Sequence, residues 1–140
     1  MLSQPYSRAL GIAVSKNDVH IVGVEGSVPT YWKNVIKITL ENIGGSANAI
    51  AISGDDIYIA GLVNNLATLW KNGVKTVLWP DPSNSTAIAI SGYDIYVAGN
   101  VYTPFGHSAN FWKNGIKTGL SFVTATSGPS TASAIYIHRH

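Results

Sequence analysis

The chain contains no cysteine and little charge. None of its 140 residues is Cys, and only 11% are Asp, Glu, Lys or Arg, well under the usual quarter. The absence of cysteine excludes disulfides and thiolate metal sites but leaves the compartment open. Nine Lys and Arg residues against seven Asp and Glu give a net charge of +2. No basic stripe accompanies this small excess, so no nucleic acid partner is expected.

Long apolar runs are absent as well. No stretch approaches the roughly 18 apolar residues of a membrane-spanning helix, and residues 1–10 lack the apolar core of a signal peptide. We therefore expect no membrane association, and the localisation stays unknown. Hydrophobic residues make up 46% of the chain, enough for the core of one domain spanning 1–140. A surface with so little charge favours self-association.

What the chain does contain is one segment written three times. Residues 12–15 recur as residues 50–53 and 88–91, at a spacing of 38 residues. Each copy continues with a strand that ends in Gly, at Gly23, Gly61 and Gly99. A Trp-Lys-Asn segment follows, which begins at Trp32, Trp70 and Trp112. A period near 40 residues with about four short strands per copy is typical of a radial or closed β-repeat.

The middle copy shows the predicted elements most clearly. Strands are expected over residues 49–53, 57–61, 67–70 and 74–78, with Gly and Asp in the first turn and an Asn-Gly pair in the last. Val35 stands in a turn where the other copies have Gly. No helical periodicity remains, so the predicted fold is all-β. The repeats are placed at about 10–48, 49–86 and 87–131, with 132–140 as an incomplete closing strand.

The first two strands of each copy are apolar on both faces, which a half-exposed antiparallel strand would not be. Sheets stacked face to face around an axis, as in β-propeller blades, cover both faces. The tryptophans Trp32, Trp70 and Trp112 are then predicted to lie between blades. Asp18, Asp56 and Asp94 follow the first turn and are interpreted as turn or cap residues.

The pattern Ala-Ile-Ala-Ile-Ser-Gly-x-Asp-Ile-Tyr-Ile-Ala-Gly, followed by Trp-Lys-Asn-Gly, resembles bacterial β-propeller-like tandem repeat proteins over Leu10 to about Leu120. The resemblance implies β-propeller blades, three four-stranded repeats per chain. Three blades cannot close a ring, so we expect a homodimer that forms a six-bladed ring. A β-trefoil, in which three four-stranded units close within one chain, is the alternative.

Sequence motifs for chemistry are missing. No nucleophile motif, metal-binding motif or phosphate-binding glycine loop occurs. The four histidines (His20, His107, His138 and His140) show no metal-site spacing. We therefore expect no catalytic residues, no metal and no cofactor. His20 takes the place of Tyr58 and Tyr96 and is interpreted as a packed aromatic substitute.

Positions that break the repeat are the candidates for ligand binding. In an up-and-down blade, the loops with sequence variation all emerge at one end. Trp79 replaces Glu41 and Ser121 of the other copies, and the third copy has four extra residues between Gly99 and Trp112. The candidate binding residues are Trp79, Tyr102, Phe105, His107, Asn64 and Asn65. An aromatic beside Asn and Asp side chains can stack on a sugar or a peptide.

Three functional hypotheses follow. The first is a non-catalytic propeller-type module that binds a glycan or a protein through this variable face. The second is a β-trefoil-like lectin with similar sites in each repeat. The third is a glycan-active propeller enzyme whose site lies at a ring centre.

Overall fold

The computed structural model describes residues 6–120, and these residues form twelve β-strands and no helix. Repeat 1 consists of β1 Ser7–Ser15, β2 Asp18–Glu25, β3 Val28–Lys33 and β4 Ile36–Thr39; repeat 2 of β5 Gly45–Ser53, β6 Asp56–Val63, β7 Leu66–Lys71 and β8 Val74–Val77; repeat 3 of β9 Ser83–Ser91, β10 Asp94–Thr103, β11 Gly106–Lys113 and β12 Ile116–Gly119. Within this part of the chain, no helix could cross a membrane. The predicted closing strand at 132–140 lies outside the described residues.

Each repeat folds into its own four-stranded antiparallel sheet, here called sheets 1, 2 and 3. The strand orders are β1-β2-β3-β4, β5-β6-β7-β8 and β9-β10-β11-β12, so every ladder joins neighbours in sequence. The prediction of an all-β fold of blade-like repeats is confirmed. The β-trefoil alternative is wrong, because residues 6–120 form three separate sheets that do not close on themselves within one chain.

A β-bulge explains the glycine that recurs in every repeat. The first strand of each sheet carries one unpaired residue (Leu10, Asn48 or Thr86), and the adjoining residue pairs with glycine on the second strand. The bulge brings the two backbones close together. A Cβ at Gly61 would lie 2.0 Å from the carbonyl oxygen of Ser46, and Gly23 and Gly99 are similarly placed. No other residue fits at these positions.

A hydrogen-bonded Asp–Asn pair closes one end of each blade. In sheet 2, Asn72 Nδ2 donates to Asp56 Oδ1 at 3.0 Å, and Asn72 Oδ1 accepts from the backbone N–H of Ile57 at 2.8 Å. The same bonds recur in the other sheets with Asn34 and Asp18 and with Asn114 and Asp94. The first and third turns therefore emerge together, at what we call the uniform end.

The opposite end, here called the variable end, carries the remaining connections. These are the turns at 26–27, 64–65 and 104–105 and the loops at 40–44 and 78–82 between sheets. Backbone bonds join them: Asn64 N donates to Gly44 O, and Ser83 N donates to Asn65 O. The expectation that all loop variation shares one end is therefore met.

Consecutive sheets pack face to face, with a tryptophan at each junction. Trp70 of sheet 2 is fully buried in a cluster with Val22 and Tyr31 of sheet 1. Trp112 of sheet 3 is fully buried against Ala60 and Ala67 of sheet 2. The two tryptophans therefore form inter-blade core, as the sequence predicts.

The junction between sheets 2 and 3 also contains buried polar bonds. The hydroxyl of Ser83 accepts from the backbone N–H of Ala67 at 2.9 Å, and the Ser85 hydroxyl donates to the Gly61 carbonyl. Asn48 Nδ2 reaches across to Ser85 O at 2.9 Å. At the junction between sheets 1 and 2, Gly45 and Ala47 stand where Ser83 and Ser85 stand, so these hydroxyl bonds have no counterpart there.

Trp32 differs from its two equivalents. It occupies the same place in sheet 1, but no described sheet precedes sheet 1, and Trp32 is only half-buried. It borders an open depression with Ile21 and Glu25. The prediction that Trp32 lies between blades is therefore not met within residues 6–120.

Candidate functional site

Each described loop between two sheets places one side chain in contact with a lysine of the next sheet. From the loop between sheets 1 and 2, Glu41 forms an ion pair with Lys75 Nζ at 3.0 Å. This bond holds the pKa of the Glu41 carboxyl below its ordinary value. From the loop between sheets 2 and 3, Trp79 takes the place of Glu41, and Lys117 Nζ lies 4.1 Å from the centroid of its ring. A cation–π contact thus replaces an ion pair.

Trp79 borders an open depression of about 680 Å³ at the variable end. The ring is half-buried and packs against the core of the second junction. The depression is lined by Trp79, Asp81, Pro82, Val101, Tyr102, Thr103, Pro104 and Lys117. It therefore combines an aromatic and apolar surface with a carboxylate, a hydroxyl and an ammonium group, which is the usual composition of a small-ligand site.

The four extra residues of repeat 3 lengthen one hairpin. Strands β10 and β11 are each two residues longer than β6 and β7, so the β10–β11 hairpin projects about 7 Å further. Tyr102 and His107 pair across it, with ring centroids 4.6 Å apart in an edge-to-face arrangement. Tyr102 thus borders the depression and also connects it to His107.

The other predicted residues lie around the depression and do not line it. Phe105 is at the tip of the β10–β11 hairpin and is 91% exposed. Asn64 and Asn65 form the exposed turn of sheet 2, and their link to the depression is the backbone bond from Ser83 N to Asn65 O. The six predicted residues share one end of the molecule, and Trp79 and Tyr102 line the same depression.

Sequence reasoning missed Lys117 and Thr103. Lysine occurs at the same place in the fourth strand of every repeat, as Lys37, Lys75 and Lys117, so Lys117 does not break the repeat. The sequence carries no direct signal for Lys117, because only its partner changes, from Glu41 at the first junction to Trp79 at the second, and that change is visible only in the contacts of the folded chain.

One buried polar pair lies elsewhere, in sheet 1. His20 Nδ1 lies 2.7 Å from the hydroxyl of Tyr31, and both residues are buried at the first junction. Burial raises the pKa of the Tyr31 hydroxyl. His20 thus packs as an aromatic of the core. In the part of the chain that the structure describes, no group of three or more His, Asp or Glu side chains could hold a metal ion.

The chain is thus an all-β tandem-repeat protein whose three four-stranded sheets are consistent with propeller blades and have one uniform and one variable end. Comparison with known proteins gives no relative: no family model matches the chain, and no curated protein or solved structure matches it either.

Proposed function

We propose that this chain is a non-catalytic module that binds a glycan through the depression at Trp79. The proposal includes the resemblance to bacterial β-propeller-like tandem repeat proteins, which the three successive blades support. The observation that carries the proposal is the aromatic side chain at position 79. At the equivalent position of the preceding repeat, Glu41 makes the contact with the lysine of the next sheet. Packing alone does not require an aromatic at this position.

The chemistry of the depression favours a sugar. A pyranose ring has an apolar face that stacks on an indole and hydroxyls that bond to carboxylate, hydroxyl and ammonium groups. Asp81, Thr103 and Lys117 supply these groups around Trp79. The volume of about 680 Å³ lies within the range of small-molecule sites, and the projecting hairpin with Phe105 extends the surface for a longer chain.

The sharpest test replaces Trp79 with the residue that the first junction uses. Trp79→Glu gives Lys117 the carboxylate partner that Lys75 has in Glu41, so an ion pair replaces the cation–π contact, while the aromatic surface and the packing of the half-buried ring on the second junction are lost. Trp79→Phe retains an aromatic ring and serves as the matched control. Each variant is compared with the unmodified chain on an array of diverse glycans, after thermal unfolding has verified its folding.

We expect glycan binding by the unmodified chain, retention of much of that binding in Trp79→Phe, and its loss in folded Trp79→Glu. Equal binding by all three proteins would contradict a site at Trp79. An array without any bound glycan would contradict the glycan ligand, and a peptide or protein ligand would then take its place. Cleavage of a bound glycan would instead support the enzyme hypothesis.

A further inference from the structure

The two outer sheet faces of the described chain are matched to each other. Sheet 1 has one face that no other described sheet covers, here called the first flank and formed by Ile12, Ile21 and Trp32. Among residues 6–120, sheet 3 has the opposite kind of face without a neighbour, here called the last flank and formed by Tyr96, Phe111 and Leu120. Each flank is a copy of a face that is covered inside the chain.

The first flank repeats the faces that are covered at the two internal junctions. Ile12 corresponds to Ile50 and Ile88, which pack against the junction cores. Those two side chains are partly buried, whereas Ile12 is 66% exposed. The difference is the missing neighbour, because the strand position and the residue type are the same in all three sheets.

The last flank corresponds to the faces of sheets 1 and 2 that pack on the following sheet at the two internal junctions. Leu120 corresponds to Leu78, which is buried in the second junction, yet Leu120 is 55% exposed. Tyr96 corresponds to Tyr58 and His20, which are both buried, and is itself only half-buried. Large apolar residues thus stand exposed on both flanks.

The Glu25 carboxylate beside the first flank has a charged partner within its own sheet. Glu25 occupies the place of Val63 and Val101, and its carboxylate lies 2.9 Å from Lys37 Nζ. In the other sheets the equivalent lysine meets Glu41 or Trp79 from the preceding loop. Lys37 therefore needs no partner from a docking sheet, so covering this flank leaves no unpaired lysine charge.

We propose that the first flank of one chain docks on the last flank of a second copy, and that two copies close a six-bladed ring. The junctions inside the chain supply the geometry of this contact, since the same pair of faces meets there twice. β-Propellers typically have 4–8 blades, and six is the one multiple of three in that range. Each contact joins a first flank to a last flank, and a twofold axis that relates the two contacts closes the ring and stops growth.

The mass in solution and one variant on each flank test this assembly. Ile12→Lys places a charge on the first flank, and Leu120→Lys places one on the last flank. The control is Val74→Lys, because Val74 is 69% exposed on the outer strand of sheet 2, which has no open flank. All proteins are compared by light scattering at micromolar concentration, and circular dichroism monitors folding.

We expect a mass of twice 14.9 kDa for the unmodified chain and the control, and half of that mass for each flank variant. Mixing the two flank variants should restore a two-chain species, because one intact first flank and one intact last flank remain. An unmodified chain that is monomeric or grows into larger species would overturn the ring. A dimer that survives both single variants, or a mixture that stays monomeric, would overturn head-to-tail docking.

Discussion

Replacing Val35 with Gly should stabilise the protein, which is unusual for a substitution of an apolar residue. Val35 occupies the second position of the Asn34-Val35 turn with φ of 66°, a left-handed conformation that β-branched residues strongly disfavour. In the other two sheets, Gly73 and Gly115 occupy this position with φ of 85° and 87°. Val35 is 93% exposed, so the substitution removes almost no packing.

The magnitude follows from two opposing effects. Holding a residue with a side chain in the left-handed region costs about 1–2 kcal/mol, and this strain disappears with Gly. Glycine adds conformational entropy to the unfolded chain, which lowers the gain by about 0.5–1 kcal/mol. We therefore expect Val35→Gly to raise the free energy of unfolding by about 0.5–1 kcal/mol.

Urea denaturation at equal protein concentration measures this change. With an m-value of about 2 kcal/mol per M, the midpoint should rise by about 0.25–0.5 M at unchanged m. Gly115→Val is the reverse control, because a Cβ there meets no atom within 4 Å and only the backbone strain is added. It should lower the midpoint by a similar amount. A midpoint that falls in Val35→Gly, or stays constant in Gly115→Val, would refute the strain argument.

Three further changes probe other parts of the structure. Gly61→Ala should destabilise the protein by about 3 kcal/mol or more, because its Cβ meets a carbonyl oxygen at 2.0 Å. Gly54→Ala, with no atom within 4 Å, should lower the stability measured in thermal unfolding by only about 0.5–1 kcal/mol, since the backbone strain is offset in part by the lower entropy of the unfolded chain. Trp70→Ala should cost about 3–5 kcal/mol, and Trp32→Ala clearly less at concentrations where the chain is monomeric; equal losses would contradict the open first flank. The lysine partner lowers the pKa of the Glu41 carboxyl below its ordinary value of 4.5, so near and below that pH the unfolded state binds more protons than the folded state. The stabilisation by the Glu41–Lys75 ion pair is therefore complete above pH 4.5 and is lost as the pH falls through the pKa of the folded state. Glu41→Gln should reduce stability at neutral pH and flatten this acid dependence, and an unchanged acid limb in urea titrations between pH 3 and 7 would argue against the ion pair.

The sequence predicts the blades because the same pattern of strands and turns occurs three times in the chain. Two-sided apolar strands around Ile50 and Ile57 identify sheets that are covered on both faces, and the Asn72-Gly73 pair fixes a tight turn. The bulge at Asn48 escaped prediction, because a strand that is apolar on both faces has no apolar–polar alternation whose phase an inserted residue could visibly shift. The first strands consequently begin earlier than expected, at Gly45 in place of Ala49.

The candidate site was predictable only in part. Trp79 and Tyr102 stand out because they break the repeat, and the structure brings both to one depression. Lys117 could not be found by that criterion, because it keeps the residue type of the repeat and changes only its partner. For Phe105, the insertion correctly indicates the variable end but not the position relative to the depression. The direction in which a hairpin tip points depends on hairpin length and twist, which composition does not encode.

The unequal polar bonding at the two junctions has a consequence for how the molecule opens. Every strand ladder lies within one sheet, so the sheets behave as a linear series of units coupled only to their nearest neighbours. Sheet 3 is tied to sheet 2 through the buried hydroxyls of Ser83 and Ser85, whereas sheet 1 is joined to sheet 2 by the exposed Lys16–Asp55 ion pair and the backbone bond from Gly45 N to Ser27 O. In a monomeric chain, fraying should therefore begin at sheet 1. Its amide protons should exchange with solvent through local openings well before those of sheet 2, which has neighbours on both sides.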